Sequence, residues 1–149
     1  MSDQKEKFAR LKALHDRETA FVIPNPWDAG SARLLTSLGF EALATTSAGY
    51  AFSKGKRDSF ASLSRREILE NAAEIAEATD LPVSADLEDG FGAAPETCAE
   101  TIRMACKVGL VGGLSKTQRA IRMNRFTSFP KRLNAFARLQ KLLAICPSC

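Results

Sequence analysis

The feature that most constrains this chain is an alternation of short, uniformly apolar runs with segments of helical periodicity. The runs are Ala20-Phe21-Val22-Ile23, Phe40-Glu41-Ala42-Leu43-Ala44-Thr45-Thr46, Leu81-Pro82-Val83-Ser84-Ala85 and Gly109-Leu110-Val111-Gly112-Gly113. A strand that is apolar throughout, rather than at every second position, is buried on both faces, as in a parallel sheet covered by helices. A helix between successive strands is the crossover that parallel pairing requires. The pattern predicts an α/β fold with a parallel sheet.

The helical segments carry their own punctuation. Phe8, Leu11 and Leu14 fall at helical spacing over residues 5–15, and His15, the only histidine, sits at the end as a cap or surface residue. Asp28 stands where an N-cap belongs, and the helix through Ser31, Ala32, Leu34, Leu35 and Leu38 stops at Gly39, a C′ glycine. Ser64-Arg65-Arg66-Glu67 has capping-box spacing and opens a helix to about Thr79. Pro82 is tolerated at a strand start, and Pro95 at the first position of a helix reaching about Val108.

In parallel α/β folds ligands bind beyond the carboxyl ends of the strands, and three loops lie there. Asn25-Pro26-Trp27-Asp28 follows the first run; a turn plus N-cap explains Asn25 and Asp28 without invoking a ligand. Thr45-Thr46-Ser47-Ala48-Gly49-Tyr50 follows the second, opening a polar stretch to residue 62. Consecutive backbone N–H groups around a small serine and a glycine can cradle a carboxylate or phosphate, although an ordinary turn has the same composition. Beyond it, Lys54-Gly55-Lys56-Arg57-Asp58 reads either as a cationic lid over an anionic substrate or as a solvated loop. Asp86-Leu87-Glu88-Asp89-Gly90-Phe91-Gly92 follows the third. Three acids in four residues beside a buried strand repel one another unless a cation is present. Hard oxygen ligands suit Mg²⁺ or Mn²⁺, which keep several waters and bind substrate oxygens; the alternative is a polar turn.

Composition narrows the classes further. An apolar fraction of 45% and a charged fraction of 26% are those of a soluble globular protein. No apolar run approaches the roughly 20 residues that span a bilayer. The charged start, Met1-Ser2-Asp3-Gln4-Lys5-Glu6-Lys7, lacks the apolar core of a secretory signal. A cytoplasmic location without membrane contact is expected. Cys98 and Cys106 read as small buried apolar residues; Cys146-Pro147-Ser148-Cys149 has no partner pair or redox-fold context.

Taken together, Phe21-Val22-Ile23-Pro24-Asn25-Pro26-Trp27-Asp28-Ala29-Gly30-Ser31, the Thr46-Ser47-Ala48-Gly49 loop and Pro82-Val83-Ser84-Ala85-Asp86-Leu87-Glu88-Asp89-Gly90-Phe91-Gly92 resemble the isocitrate lyase/phosphoenolpyruvate mutase superfamily, and especially its short 2-methylisocitrate lyase-like and phosphonomutase-like members. The resemblance covers about residues 7 to 113. It implies a TIM (β/α)8 barrel, a Mg²⁺ (or Mn²⁺) cofactor, and C–C or P–C chemistry on 2-oxo acid, 2-methylisocitrate-like or phosphonopyruvate-like substrates through an enolate-type intermediate. By position, Asp86 and Glu88 resemble the metal-site acids, one direct and one through water. Ser47, Ala48 and Gly49 resemble the loop holding the substrate carboxylate or phosphonate. Asp58 falls where the family often carries a functional aspartate in its gating loop, and Trp27 and Asp28 resemble a pocket wall. The intact family also implies a homo-oligomer.

The C-terminal third departs from that pattern. A closed barrel typically needs about 250 residues, whereas this chain has 149 and shows about four βα units. Residues 1–100 hold all 17 acids and 11 basic residues; residues 101–149 hold 10 basic residues and no acid. The superfamily's Glu-Asp segment after the fourth strand, and its later catalytic-loop and substrate-gripping arginine patterns, do not follow Gly113. Joining the third base of each codon from Gly113 to the first two bases of the next, with permitted wobble choices, yields S-I-E-D-A-T-G-D-P-N-E-P and then an Ala-, Glu- and Arg-rich helix. Residues 1–113 are therefore expected to be a partial barrel. Residues 114–149 are expected to be a divergent basic tail, out of frame through mutation or sequencing error, and the product truncated with little activity. The competing reading is a noncatalytic basic module that binds nucleic acid through Arg119, Arg122, Arg125, Lys131 and Arg132.

Overall fold

The structure, a computed structural model, describes residues 3–59, 62–92 and 94–114. Its elements run α1 (Gln4–His15), α2 (Ala29–Ser37), β1 (Leu43–Ala44), α3 (Ser47–Ser53), α4 (Arg65–Glu77), β2 (Val83–Asp86), α5 (Pro95–Lys107) and β3 (Gly112–Leu114). The three strands form one parallel sheet in the order β1-β2-β3. Leu43 faces Val83 across the first pair, and Asp86 faces Leu114 across the second. Parallel register puts the carboxyl ends of all three strands at one rim. Residues 47, 86 and 114 therefore share that rim.

Helix α4 shows how the sequence builds these layers. Ser64 accepts a hydrogen bond from the Glu67 N–H while Glu67 reaches back to the Ser64 N–H, a complete capping box. Ile68, Leu69, Ala72, Ile75 and Ala76 are buried on one face, the stripe expected of a helix laid on a sheet. Leu69, Ala72, Ile75 and Ala76 join Leu43, Val83, Ala85, Leu87 and Leu110 in the main core cluster, and Ile68 packs with Ala51 and Leu63. A smaller cluster of Leu11, Leu14, Ala42 and Val111 seats α1 across the opposite end of the sheet. There Gln4 Nε2 donates to the carbonyls of Cys106 and Leu110, both at 2.8 Å.

Three expectations change. The run at 20–23 is not a strand of the sheet. Val22 is 68% exposed, and the segment meets β1 through a bond from Ala44 N–H to the Pro24 carbonyl. Pro24, which makes that contact, and Pro26 lack the N–H groups a ladder needs. The expected loop from residue 47 instead opens with helix α3, whose N-cap Thr46 accepts from the Gly49 N–H. Cys98 and Cys106 are half-buried free thiols rather than core residues. The C-terminal pair Cys146 and Cys149, and the basic tail from residue 115, lie outside the described residues.

Candidate active site

The centre of the rim is Asp86, the last residue of β2. Its N–H donates to Thr45 Oγ1 at 3.2 Å, its Oδ2 accepts from Ser47 Oγ at 3.0 Å, and its Oδ1 accepts from the Glu88 N–H at 3.2 Å. Thr45 and Ser47 are buried. Thus two of the sequence-assigned residues, Ser47 after β1 and Asp86 at the end of β2, come into direct contact, and Glu88 follows on the turn.

That turn is conformationally costly. Glu88 has φ 51° and Phe91 has φ 62°, with Gly90 at 84° between them. Non-glycine residues in the left-handed region cost on the order of 1–3 kcal/mol each and persist where surrounding structure holds them, often at functional sites. The Asp89 carboxylate accepts from the Phe91 N–H at 2.9 Å. Phe91 packs beside Tyr50 against Ala51, Leu63 and Ile68. The Leu87 N–H donates to the Leu114 carbonyl at 2.8 Å, which binds the turn to β3. Asp89 is thereby a turn-forming residue, which leaves Asp86 and Glu88 as the other two acids of the turn.

The first loop stands beside this centre. Asp28 caps α2: its Oδ1 accepts from the Ser31 N–H at 2.7 Å and from the Ser31 hydroxyl. Those two bonds, the backbone one foremost, hold its carboxyl below the usual carboxylate range. The capping role accounts for Asp28 structurally. Trp27 is 47% exposed, and its carbonyl accepts from Asn71 Nδ2 at 2.9 Å. Gly49 lies close by; a Cβ there would stand 2.7 Å from Thr46 Cγ2 and 3.6 Å from Trp27 Cβ. Asp58 is exposed, and the hydrogen bonds of Asp86 given above do not involve it. The cationic segment before it is anchored: Lys56 Nζ meets Glu67 Oε1 at 2.6 Å, and Lys54 stands over the Tyr50 ring. Glu67 is pushed down to about 2, first by the Lys56 bond and then by the Ser64 N–H.

Sequence reasoning missed the residues that support these loops. Asn71 and Thr101 are buried polar groups, and each bonds a loop at the rim. Their only sequence signal is a polar residue on an otherwise apolar face.

Whether the site suits a divalent cation turns on its donors. Among the described residues there is no group of three or more His, Cys, Asp or Glu side chains suited to a metal. Mg²⁺ does not require one. It is commonly held by one or two carboxylates plus waters and substrate oxygens, and Asp86 with Glu88 fits that donor set.

A parallel α/β sheet with carboxylates and a small-residue loop at its carboxyl rim defines the class to which barrel lyases and mutases belong. The phosphoenolpyruvate phosphomutase family model matches residues 11–141, and the chain belongs to that family, within the isocitrate lyase/phosphoenolpyruvate mutase superfamily. A solved structure from Burkholderia cenocepacia J2315, described as a "putative lyase/mutase", is 59% identical with a TM-score of 0.71, covering 74% of this chain and 38% of that one. The 2-methylisocitrate lyase of Bacillus subtilis (strain 168) is 33% identical over 91 residues, 61% of this chain and 30% of the relative. The 2,3-dimethylmalate lyase of Eubacterium barkeri is 31% identical over 102 residues, 68% and 35% respectively. The chain spans between 29% and 37% of the length of the curated relatives it matches. No helix among the described residues is long and apolar enough to cross a membrane.

Proposed function

We propose that this chain carries the front half of a Mg²⁺-dependent (or Mn²⁺-dependent) lyase or phosphonomutase site for a small carboxylate or phosphonate substrate. The observation that carries the reading is the contact between Ser47 and Asp86, which joins the loop after β1 to the acidic turn after β2 at one rim. Asp86 and Glu88 would hold the cation. A cation held there would supply charge neutralisation for negative charge developing on the substrate. Ser47, Ala48 and Gly49, in the first turn of α3, would face the substrate's carboxylate or phosphonate. The Gly49 N–H already donates to Thr46 Oγ1 at 3.1 Å, so Ser47 and Ala48 would do most of that work. Trp27 would form a wall, with Asp28 acting through its cap. Asp58 would enter with its loop when substrate binds, a movement that requires the Lys56–Glu67 pair to give way.

The basic stretch 114–149 would be an out-of-frame translation, which removes the Glu-Asp segment that the resemblance places after β3. Two carboxylates without that third acid should bind a cation weakly. The test is a Mn²⁺ titration followed by magnetic resonance, with Asp86→Asn and Glu88→Gln beside the natural chain. Weak binding that both substitutions reduce is expected, with Mg²⁺-stimulated release of pyruvate or glyoxylate from 2-oxo or 2-hydroxy acids restored in the frame-corrected protein. Binding indifferent to both substitutions would sink the reading.

A further inference from the structure

The geometry points to Thr101 as the positioning residue of the acidic turn: its hydroxyl on α5 holds the Gly90 carbonyl and so keeps Glu88 beside Asp86. The inference rests on the assignment of Asp86 and Glu88 as the cation's acids, and adds a residue outside that pair.

Thr101 is fully buried, and a buried hydroxyl without a partner is costly. It has one proton and two carbonyls within reach, Gly90 at 2.9 Å and Thr97 at 3.0 Å. The Thr97 carbonyl stands four residues back in the same helix and takes the Thr101 N–H. The buried Gly90 carbonyl has no other donor among the described residues, and buried carbonyls are nearly always paired. The proton therefore serves Gly90. Arg65 Nη1, itself paired with Glu100 at 2.8 Å, lies 3.4 Å from Thr101 Oγ1 and occupies its acceptor side. That contact turns the proton away from α4 and toward the turn.

The turn has little freedom elsewhere. Gly90 lies between two left-handed non-glycine residues. A Cβ on it would stand 3.0 Å from Cys98 Sγ and 3.2 Å from Cys98 Cβ, so the backbone rests directly on the first turn of α5. Asp86 is fixed by β2 itself. Glu88 lies beyond the strand, in a strained conformation, inside a turn that the Gly90 N–H closes on the Leu87 carbonyl at 2.9 Å, and the Thr101 bond ties the far side of that turn to α5. Releasing that bond lets Glu88 relax toward ordinary φ and away from Asp86.

Two substitutions separate the hydroxyl from the methyl group. Thr101→Val keeps the volume and removes the hydroxyl; Thr101→Ser keeps the hydroxyl and removes a buried methyl. Mn²⁺ affinity should fall roughly 10- to 100-fold in Thr101→Val, as for other groups that orient a metal ligand, and stay near the natural value in Thr101→Ser. Thermal unfolding of the same proteins should rank them differently, since stability also follows the lost methyl. Equal affinities in all three proteins, or an affinity that tracks unfolding temperature, would overturn the inference. If the natural chain binds no Mn²⁺, the cation assignment fails by itself. Amide hydrogen exchange over residues 87–91 then decides the positioning role: faster exchange in Thr101→Val than in Thr101→Ser supports it, and equal rates refute it.

Discussion

At the residue scale, single side chains decide which acids are available for chemistry. Asp28 and Asp89 are spent on local backbone, one capping α2 and one closing the turn at Phe91, whereas Asp86 accepts from a serine on a different loop. Glu67 shows how charge holds the neighbouring segment. Its folded value, about 2, lies below the ordinary 4.5 because Lys56 and the Ser64 N–H favour the carboxylate. A depressed folded value favours the native state above the unfolded one, and the contribution is lost as pH falls from 4.5 toward 2. Unfolding midpoints of the natural chain and Glu67→Gln should therefore be separated above pH 4.5 and converge across that window. Curves that stay parallel throughout would show that the pair contributes nothing. Gly90→Ala should lose on the order of 1–3 kcal/mol in urea unfolding, because φ is 84° and the new methyl meets Cys98.

At the element scale, α4 organises the site. Its Arg65 reaches Thr101 and Glu100 on α5, its Glu67 pairs with Lys56, and its Asn71 holds the Trp27 carbonyl. Two loops and α5 thus depend on one helix. Ser64→Ala should cost about 1 kcal/mol through the lost cap. Ile75→Ala, at a fully buried position, should cost about 2–5 kcal/mol through lost burial and a cavity. Chemical denaturation measures both, and the cap variant should also loosen the Lys56 segment, read as faster tryptic cleavage there. The sequence made α4 legible at both levels, because a capping box and a 3.6-residue apolar stripe are local patterns. It made residues 20–23 misleading, because apolar composition cannot tell a central strand from an extended segment lying beside one.

At the scale of the whole molecule, the described residues form a three-stranded parallel sheet in a chain whose relatives are far longer. The edge of β1 is met by the 20–25 segment through Pro24. Among the described residues the far edge of β3 has no strand partner, and Leu114 there is 48% exposed. The partial barrel proposed for residues 1–113 would leave strand edges to pair with other chains. Light scattering should accordingly find concentration-dependent species heavier than the 16.2 kDa chain; a single monomeric peak at all concentrations would contradict this. Sequencing the coding DNA tests the proposed frame change in residues 114–149. A shifted frame that continues the family's Glu-Asp pattern is expected.

The sequence alone determined the α/β class, the caps of α2 and α4, the family, and the two motifs that meet at the site. These are local or nearly local patterns: a few consecutive residues suffice to favour a helix start, a buried strand or an acidic turn. Only the tertiary structure decided that Ser47 touches Asp86, that Asp89 closes a turn, and that Asn71 and Thr101 brace the rim. Those contacts join residues 39, 44 and 11 positions apart, or, for Asp89 and Phe91, depend on left-handed backbone. Such pairings are set by parallel strand register and helix packing, which bring distant polar groups together where water is excluded and each must find a partner.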